Sequence, residues 1–389
     1  MKTPINCFIL TILFLSSFLH LGCPDDKPPI VVPPTPKNCE FPAGERNFTW
    51  RLDTVAWFPS FLGGIHAFSD SDAYLMGYIG EGKSPWRIFA GKHWDGYSWS
   101  TNINGTDTEI AHTPNDVSGD DHFMVSVGYW GIDNITLAGL AEFDNRTKKW
   151  KGYQFQTQGE LRSVWTDGKG YFIAAGDNGM VYTKYGYTAE WVYQKAPTEF
   201  SFYSISGISK NEIYASAYQS LATGEFFQQG WKYDQGIWKK LFDTKDTVGN
   251  PIHLSMSDFP NEIGVWRCSI TDSLKLYIIG DQSYLFESKG QQLDFQKTNL
   301  SDAGLPLKQH GRTGQHVFVF TANDVWITGT RYNFYHWNGS NFQKMVIPGL
   351  PNDDTKFGYQ LRFIKTGSGK IFIPSEISSQ VYVVVQGVP

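Results

Sequence analysis

A short pattern recurs along the chain: an acidic or amide turn, then an apolar run, then a small residue. The clearest copy is Asn323-Asp324-Val325-Trp326-Ile327-Thr328-Gly329. Weaker copies end at Gly77, Gly139, Gly176, Ala217, Gly280 and Pro374. Repeats of roughly 40–50 residues that each contain several short strands are typical of a β-propeller. The pattern therefore predicts an all-β protein, a β-propeller of seven blades with four antiparallel strands in each blade.

A second recurring pattern is a polar turn between aromatic residues near the end of a repeat. The first repeat contains Trp94-Asp95-Gly96-Tyr97, and the sixth contains Trp337-Asn338-Gly339. Asp-Gly and Asn-Gly favour a two-residue type I′ turn, because both central residues of that turn need positive φ. We therefore expect a tight hairpin between the outer strands of these blades. The sequence keeps no sustained 3.6-residue apolar period, which argues against helices.

The last repeat is one strand short, whereas residues 47–53, ahead of the first repeat, have the composition of a strand. A propeller that does not close leaves open sheet edges, which pair readily with other chains. We therefore expect residues 47–53 to be the outer strand of the last blade, so that the N-terminal strand closes the ring. The long gaps before Gly139 and Gly280 leave six or eight blades as alternatives.

Residues 1–22 have the features of a lipoprotein signal peptide. Lys2 precedes an apolar run at residues 8–15, which is too short to span a membrane comfortably. The segment ends in Leu19-His20-Leu21-Gly22-Cys23, which resembles the bacterial lipobox, whose cysteine is acylated. We expect Cys23 to carry lipid and to anchor the protein to a bacterial outer membrane. An ordinary cleaved signal peptide and an uncleaved anchor remain alternatives.

Residues 23–38 predict an extended, proline-rich stalk. Asp25 and Asp26 closely follow the cysteine and resemble the surface-export signal of Bacteroidetes-type lipoproteins, with a plain polar tether as the alternative. The prolines that follow favour polyproline II, which extends by about 3.1 Å per residue. Residues 39–389 then form a single domain. The membrane is thus one expected partner, and the domain faces either outward or into the periplasm.

The charge of the chain argues against nucleic acid as a partner. The formal net charge is −5, and the sequence contains no basic run. Affinity for nucleic acid comes largely from cations that neutralise phosphates, so we expect no nucleic-acid partner. Aromatic residues make up 16% of the chain. This fraction fits packed blades as well as a surface for a glycan or protein ligand, and leaves both ligands open.

Two cysteines, Cys39 and Cys268, remain outside the predicted signal peptide and lipid site. A secreted domain can form disulfides. Because these two residues lie far apart in the sequence, we expect them to be free and keep a bridge as the alternative. The sequence contains no Cys-x-x-Cys motif and no His/Cys cluster, so we expect no metal site and no cofactor.

Two motifs resemble those of known propellers. Gly176-Asp177-Asn178-Gly179-Met180-Val181-Tyr182, with Trp191 after it, resembles the degenerate Asp-box turn of sialidase-like and photosystem-assembly-factor-like propellers. Asn-Asp-Val-Trp with a later His-Trp-Asn-Gly, at residues 323–339, is similar to bacterial lipoprotein propellers labelled glucosyltransferase-like or grouped with galactose-oxidase central domains. This resemblance implies a propeller fold and an extracytoplasmic location, and it assigns no copper ligands.

Glycan chemistry needs side-chain clusters that the sequence does not define. A glucosyltransferase needs a nucleotide-binding unit and metal-binding carboxylates, whereas Asp70-Ser71-Asp72 lies in a recurring turn. A sialidase needs several arginines that converge. The arginines considered lie in different repeats: Arg51, Arg87, Arg162, Arg267, Arg331 and Arg362. His93 and His336 occupy equivalent positions of their repeats, which favours a packing role over catalysis.

Two long insertions, residues 101–121 and 243–262, interrupt the repeats, and long loops on a compact scaffold are usually functional. Acidic pairs lie in the first insertion and ahead of the last repeat. The candidate binding-loop residues are Asp120, Asp121, Asp353 and Asp354. Ordinary solvated loop acids are the alternative for each of them.

These observations favour a membrane-anchored extracytoplasmic lipoprotein that acts as a binding or protein-interaction module. No catalytic residue is assigned, because each conspicuous motif also has a structural explanation as part of the repeat. The alternative is a glycan-active enzyme, such as a glycosidase, that takes its two carboxylates from the loop acids.

Overall fold

The structure of the protein is a computed structural model. It describes residues 39, 43–82, 88–101, 103, 112–132, 134–255, 260–280, 282–288, 295–303, 305, 316–328, 334–350, 363–378 and 381–389. These residues belong to one compact unit, Lys37–Pro389. A second unit, Met1–Pro36, contains Cys23 and most of the predicted stalk, and lies outside the described residues.

Strands make up almost all of the regular structure in the described residues. In chain order they are β1 (Thr49–Ser69), β2 (Asp72–Gly80), β3 (Ile88–Trp94), β4 (Trp99–Ser100), β5 (Thr113–Gly119), β6 (Phe123–Ile132), β7 (Ile135–Asp144), β8 (Lys149–Gln158), β9 (Leu161–Thr166), β10 (Tyr171–Gly176), β11 (Met180–Tyr185), β12 (Val192–Lys195), β13 (Ser201–Ser209), β14 (Glu212–Ser220), β15 (Phe226–Asp234), β16 (Ile237–Asp243), β17 (Pro260–Arg267), β18 (Leu274–Gly280), β19 (Tyr284–Ser288), β20 (Gln296–Asn299), β21 (His316–Thr321), β22 (Asp324–Thr328), β23 (Phe334–Trp337), β24 (Phe342–Met345), β25 (Ile364–Lys365), β26 (Ile371–Ser378) and β27 (Val381–Val388). Short 3₁₀ helices lie at Asp177–Gly179 and Leu300–Ala303.

The described strands form six antiparallel sheets. Sheets 2 to 6 have four strands each, in chain order: β5–β8, β9–β12, β13–β16, β17–β20 and β21–β24. Sheet 1 has seven strands, in the order β25-β26-β27-β1-β2-β3-β4. The predicted all-β fold and its four-stranded antiparallel units are confirmed, and sheet 1 contains more strands than one predicted blade.

Sheet 1 brings together the first and last described strands. The first half of β1 pairs antiparallel with β27, where Leu52 lies opposite Val385. The second half of β1 pairs with β2, where Ile65 lies opposite Leu75. Val55, which is fully buried, lies at an irregularity in the pairing with β27. The segment expected to be an outer strand therefore lies beside β27.

Apolar clusters fill the spaces between consecutive sheets. Separate clusters join sheets 1 and 2, 2 and 3, 3 and 4, 4 and 5, and 5 and 6. Another cluster joins Trp326 and Phe334 of sheet 6 to Ile373 and Val385 of sheet 1. A strand covered on both faces needs a continuous apolar run, and Tyr171–Gly176 is buried at every position. This burial explains the apolar runs of the repeats.

The first strands of neighbouring sheets lie side by side and run the same way. Asp116 Oδ2, on β5, accepts hydrogen bonds from Ser163 Oγ and Val164 N of β9, both at 3.0 Å. Ser163 Oγ accepts one from Ile205 N of β13, at 3.2 Å. We call the end at which these first strands begin the upper face. The lower face is the opposite end, which carries the turns between first and second strands and between third and fourth strands.

A disulfide joins Cys39 to Cys268, with the Cα atoms 5.8 Å apart, so the expectation of two free cysteines is wrong. The two residues lie 229 positions apart in the sequence. Cys268 directly follows β17, and Cys39 lies in the segment that precedes β1. Packing of the sheets brings these segments together on the lower face. The large distance between the two cysteines in the sequence therefore did not predict a large distance in space.

The predicted hairpins occur, but their turns differ from the expected form. The loop between the opposite residues Trp94 and Trp99 has four residues rather than two. Asp95 Oδ1 accepts two backbone N–H groups within this loop, at 2.9 and 2.8 Å, which stabilises the longer turn. A two-residue turn with positive φ at both positions occurs instead in sheet 4, at Gln235 and Gly236, with φ of 50° and 95°.

The two predicted insertions contain regular or buried structure. Residues 101–121 include β5, the first strand of sheet 2, whose polar sequence conceals its strand character. Residues 243–262 include the beginning of β17, and Ile252 and Leu254 pack in the cluster between sheets 4 and 5. The described parts of both segments therefore belong largely to the scaffold.

Candidate binding site

A β-bulge recurs near the upper end of the first strand in sheets 1 to 5. In each case the pairing with the second strand skips one residue. The skipped residues are Gly63, Asn115, Arg162, Tyr203 and Asn261. Bulges bend a strand and redirect the side chain of the extra residue, and they are common beside functional sites. The upper ends of the first strands are therefore candidate positions for a binding site.

The small residue that ends each apolar run lies opposite this bulge. The opposing residues are Gly77, Gly128, Gly176, Ala217 and Gly280. A Cβ added at Gly176 would lie 1.9 Å from Glu160 O, and one at Gly128 would lie 1.8 Å from Thr113 O. In sheet 2 the residue is Gly128 rather than the expected Gly139, which lies opposite Gly128 on β7. The small residue of the repeat is therefore required because the backbone of the first strand lies too close to it for most side chains to fit.

Three bulge residues with described side chains line the upper face on consecutive first strands. Asn115 and Arg162 are half-buried, and Tyr203 is 44% exposed. Asn115 Nδ2 donates to Glu160 Oε2 at 3.3 Å and to Leu161 O at 2.9 Å. These bonds link the first strands of sheets 2 and 3. We call Asn115, Arg162 and Tyr203 the upper belt.

Arg162 is held between two carboxylates. Its Nε donates to Asp177 Oδ1 at 2.6 Å, and its Nη1 lies 3.4 Å from Glu160 Oε2. Burial lowers the pKa of Arg162, but the hydrogen bond and the charge of Asp177 outweigh burial, so the pKa is raised overall. The guanidinium therefore stays charged in a fixed orientation. Because two acids flank it, it is suited to hydrogen bonding rather than to holding a lone anion.

Asp177 owes its position to the turn that resembles an Asp box. Its Oδ2 accepts the backbone N–H of Glu160 at 3.0 Å. Asn178 and Gly179, which follow, have positive φ of 54° and 69°. A Cβ at Gly179 would lie 2.2 Å from Thr198 O, so only glycine fits there. This turn, which connects the second and third strands of sheet 3, thus orients the belt arginine on the first strand.

Exposed aromatic side chains accompany the belt on the upper face. Tyr203 packs edge-on against Tyr218, with ring centroids 6.0 Å apart. A second group lies on sheet 1, where β1 passes from β27 to β2, and we call it the aromatic patch: Trp57, Phe58, Phe61 and Tyr78. Their exposed fractions are 40%, 57%, 47% and 36%. Exposed apolar side chains that occur together, rather than singly, are typical of interaction surfaces.

The aromatic patch is built on paired backbone. Phe61 lies directly opposite Tyr78, so both rings stand on the same side of the sheet. Their neighbours Leu62 and Ile79 point the other way and are buried. Trp57 lies opposite Gly80, next to this pair along the same two strands. The rings are therefore held on strands rather than on a loop.

The candidate aspartates that the structure describes lie on the lower face. Asp120 Oδ1 accepts the backbone N–H groups of His122 and Phe123, both at 2.9 Å. Asp120 Oδ2 accepts the Tyr187 hydroxyl at 2.8 Å. Asp120 thus shapes the turn from β5 to β6 and links sheets 2 and 3, and Asp121 is exposed beside it. Asp353, Asp354 and the lipid-site residue Cys23 lie outside the described residues.

The recurring acid and histidine pairs are structural links between sheets. Asp324 Oδ1 lies 2.9 Å from His336 Nε2, and its Oδ2 accepts Lys365 Nζ at 2.5 Å from sheet 1. Asp72 repeats the arrangement with His93 at 2.8 Å and with Lys148 of sheet 2 at 3.1 Å. Burial raises the pKa of Asp324, but these hydrogen bonds outweigh burial and lower it overall. Both carboxylates therefore hold their own sheet and a neighbouring sheet together.

Of the six arginines considered from the sequence, Arg51, Arg162 and Arg267 are described and pair with different acids, whereas Arg87, Arg331 and Arg362 lie outside the described residues. Arg51 pairs with Asp53 on β1, and Arg267 pairs with Glu212 and with Asp272 on the lower face. Arg162 is on the upper face, as described above. Within the described ranges, no group of three His, Cys, Asp or Glu side chains could hold a metal ion. The helices of the same ranges include none with the length and apolar character needed to cross a membrane.

Sequence reasoning missed the upper belt. It grouped Arg162 with the scattered arginines and did not single out Asn115 or Tyr203. One signal was available: each belt residue lies thirteen or fourteen positions before the small residue of its repeat. The aromatic patch carries no comparable repeat, because it lies where β1 changes partners.

No model of a protein family matches the chain, and no curated protein does. Among solved structures, YCF48 bound to D1 peptide is 13% identical with a TM-score of 0.57, covering 90% of this chain and 100% of that chain. YCF48 from Cyanidioschyzon merolae is 14% identical with a TM-score of 0.52, covering 87% and 99%. The extracellular domain of the one-component system BT4673 from B. thetaiotaomicron is 13% identical with a TM-score of 0.52, covering 86% and 40%. At these identities the likeness is one of fold, and the chain has a β-propeller fold built of repeated blades.

Proposed function

We propose that this protein is an extracytoplasmic binding module whose propeller holds a segment of another protein on its upper face. The observation that carries this proposal is the aromatic patch, together with Tyr203, on the face that also presents Arg162. Tyrosine, tryptophan and arginine are the residues that most often dominate the energy of protein interfaces. Rigid strands hold these groups, so little ordering entropy is lost when a partner binds.

A protein segment fits this face better than a charged small molecule does. Arg162 is neutralised by Glu160 and Asp177, so the belt offers oriented hydrogen bonds without a strong net positive charge. The aromatic patch offers apolar area for side chains. YCF48, which shares the fold, has been solved with a D1 peptide, and this supports peptide binding as a use that such a propeller can serve.

Glycan-active chemistry has weaker support. Among the candidate acids, Asp120 is engaged by two backbone N–H groups and a tyrosine hydroxyl. A glycosidase needs two carboxylates that face a common cleft at a set separation. Asp120 is a turn residue on the lower face, opposite the face that carries the aromatic patch and the upper belt. We therefore keep the binding role as the proposal.

We also propose that the sheets form seven blades in a closed ring. Sheet 1 then counts as two blades, with the first half of β1 as the outer strand of the last one. Two observations support this: the pairing of β1 with β27, and the apolar cluster between sheet 6 and β26 and β27. A further cluster packs the two halves of sheet 1 against each other.

Anchoring through a lipid on Cys23, in a bacterial outer membrane, is part of the same proposal. Its support is the lipobox-like segment, followed by Asp25 and Asp26 and a proline-rich stretch. Replacing Cys23 with alanine should move the protein from the membrane fraction to the soluble fraction. Retention of the variant in the membrane fraction would reject the lipid anchor. Protease treatment of intact cells then distinguishes an outward-facing protein from a periplasmic one.

Peptide selection tests the binding role. A library of random peptides is selected on the immobilised protein, and the enriched peptides are synthesised and titrated by calorimetry. We expect Tyr203→Ala and Phe61→Ala each to weaken binding at least about tenfold, equal to about 1.4 kcal/mol. Tyr97→Ala is the matched control, because Tyr97 is 85% exposed but lies on the lower face. It should bind like the wild type.

A parallel glycan array addresses the other ligand class. Enrichment of no peptide, together with glycan binding that Phe61→Ala abolishes, would replace the protein ligand by a glycan. Equal losses for Tyr97→Ala and the two upper-face variants would show that the upper face is not the site.

A further inference from the structure

The upper end of sheet 4 carries aromatic side chains of its own, separate from the aromatic patch on sheet 1. Tyr203 lies at the bulge of β13, Tyr218 lies near the end of β14, and Phe226 is the first residue of β15. Tyr203 and Phe226 are exposed, and Tyr218 is half-buried. We call Tyr203, Tyr218 and Phe226 the ring group. Sheets 3 and 4 lie within residues 134–255, which are described without a gap.

Paired strands hold the ring group in place. Tyr218 lies opposite Gln228, and Ser220 lies opposite Phe226, so Tyr218 and Phe226 stand on the same face of sheet 4. The ring of Tyr203 packs edge-on against that of Tyr218. A partner side chain that lies along these rings therefore meets an apolar surface that is already ordered.

Beside the ring group lies an ion network with an excess of negative charge. Glu160 and Asp177 both contact Arg162, so two carboxylates face one guanidinium. We call these three residues the belt network. The side chains of Glu160 and Asp177 are 26% and 18% exposed, so a ligand on the upper face can reach them. Burial lowers the pKa of Arg162, whereas Asp177, Tyr218 and Glu160 raise it, so Tyr218 lies within electrostatic reach of the network.

The lysines at the upper ends of sheets 3 and 4 do not balance this excess. Lys195 Nζ lies 3.0 Å from Glu199 Oε2, and Lys240 Nζ lies 2.8 Å from Asp243 Oδ2. Residues 245–246, in the loop after β16, carry one charge of each sign. Each of these cations therefore offsets an acid of its own, and the belt network keeps its excess negative charge.

We infer that the protein segment bound on the upper face presents a lysine or an arginine, whose stem packs on the ring group and whose charged head lies beside Glu160. Both side chains combine an apolar stem with a cationic head, which matches an apolar surface next to an excess carboxylate. A cation close to a tyrosine ring is also attracted to the face of the ring. The net charge of the network disfavours an acidic side chain at the same place. This inference rests on the proposed binding role of the upper face and specifies the chemistry of the partner.

Parallel selections from two libraries of acetylated peptides test the inference. One library contains all amino acids, and the other omits lysine, arginine and histidine. We expect the first library to yield peptides with a lysine or arginine at a fixed position, and the best peptides of the second to bind at least about tenfold more weakly. Peptides of the second library that bind as tightly, and that depend on Tyr203, would overturn the inference and leave the binding role standing. Enrichment from neither library would reject the binding role and the inference with it.

A double-mutant cycle tests whether the cation lies at Glu160. In an enriched peptide, lysine is replaced by norleucine or arginine by citrulline, which removes the charge and keeps the stem. The replacement should weaken binding to the wild type about tenfold and should have little effect on binding to Glu160→Gln. Equal losses for the two proteins would show that the cation does not lie beside Glu160 and would overturn the inference.

Glu199→Gln is the matched control, because Glu199 is an exposed acid in the upper-face loop before β13 and pairs with Lys195. This variant should keep the full tenfold effect of removing the peptide charge. Loss of the effect in Glu199→Gln as well would point to the general charge of the face and overturn the assignment to Glu160.

The salt dependence of binding is a second readout, which needs no variant of the protein. Exposed charges are screened as the ionic strength rises from about 0.05 M to about 0.5 M. The charged peptide should therefore bind more weakly at high salt, whereas the affinity of its neutral analogue should not change. The same response from both peptides would contradict an electrostatic contact with the belt network.

Discussion

Replacing Gly176 with alanine tests the physical origin of the repeat. Gly176 is fully buried at the end of β10, opposite the bulge that presents Arg162. A Cβ at this position would lie 1.9 Å from Glu160 O and 2.8 Å from the Cα of Leu161. Both neighbours are backbone atoms, so no side-chain rotation relieves the overlap. The upper end of β9 would have to move.

The cost follows from what that movement breaks. Glu160 O accepts the Asp177 backbone N–H at 3.0 Å, and Glu160 N donates to the Asp177 carboxylate at 3.0 Å. Overpacking a tight interior typically costs about 1–3 kcal/mol. Sheet 4 carries Ala217 at the equivalent position, so a first strand can adapt to one methyl group. We therefore expect Gly176→Ala to lower the free energy of unfolding by about 2–3 kcal/mol.

Guanidinium unfolding followed by tryptophan fluorescence measures this loss. Gly131→Ala is the matched control, because Gly131 is also in a strand but a Cβ there meets no atom within 4 Å. It should change the free energy by less than about 0.5 kcal/mol, as exposed substitutions usually do. If Gly176→Ala were as stable as Gly131→Ala, close backbone approach could not be the reason for the recurring small residue.

Three further predictions concern buried groups. Burial lowers the pKa of His66 to about 4 and that of His112 to about 3, so the contribution of each neutral histidine to stability is full above about pH 6.5 and is lost as the pH falls. Denaturant titrations should therefore show that the free energy of unfolding falls by about 2 kcal/mol for each histidine between about pH 7.5 and pH 5. A free energy of unfolding that does not change over this range would contradict the prediction. Lys184→Met leaves the buried Glu142 carboxylate without its cation and should cost about 3–5 kcal/mol of unfolding free energy, part of which a second change, Glu142→Leu, restores; no recovery would contradict the ion-pair account. Cys268→Ser opens a loop of 229 positions and should lower the free energy of unfolding by about 3–5 kcal/mol, whereas equal stability of reduced and oxidised protein would show that the bridge contributes nothing.

Much of the local structure could be predicted from sequence, because neighbouring residues determine it. Apolar runs such as 171–176 become strands buried on both faces, and the polar residues between them become turns. The hairpin at Asp95-Gly96 occurs where expected, although the Asp95 carboxylate closes a four-residue loop instead of the two-residue form. The equivalence of His93 and His336 also reflects equivalent surroundings, since each pairs with an aspartate on the second strand of its own sheet.

The sequence alone determined the all-β fold and its repeated four-stranded units, since alternation and turn chemistry act over a few residues. Only the tertiary structure decided which distant residues meet. It joined Cys39 to Cys268, placed Asp120 in a lower-face turn, and aligned the bulges that carry Arg162 and Tyr203. These outcomes depend on the packing of whole sheets against one another. Residues that meet only through the packing of whole sheets lie far apart in the sequence, so a short stretch of sequence does not predict which of them will be in contact.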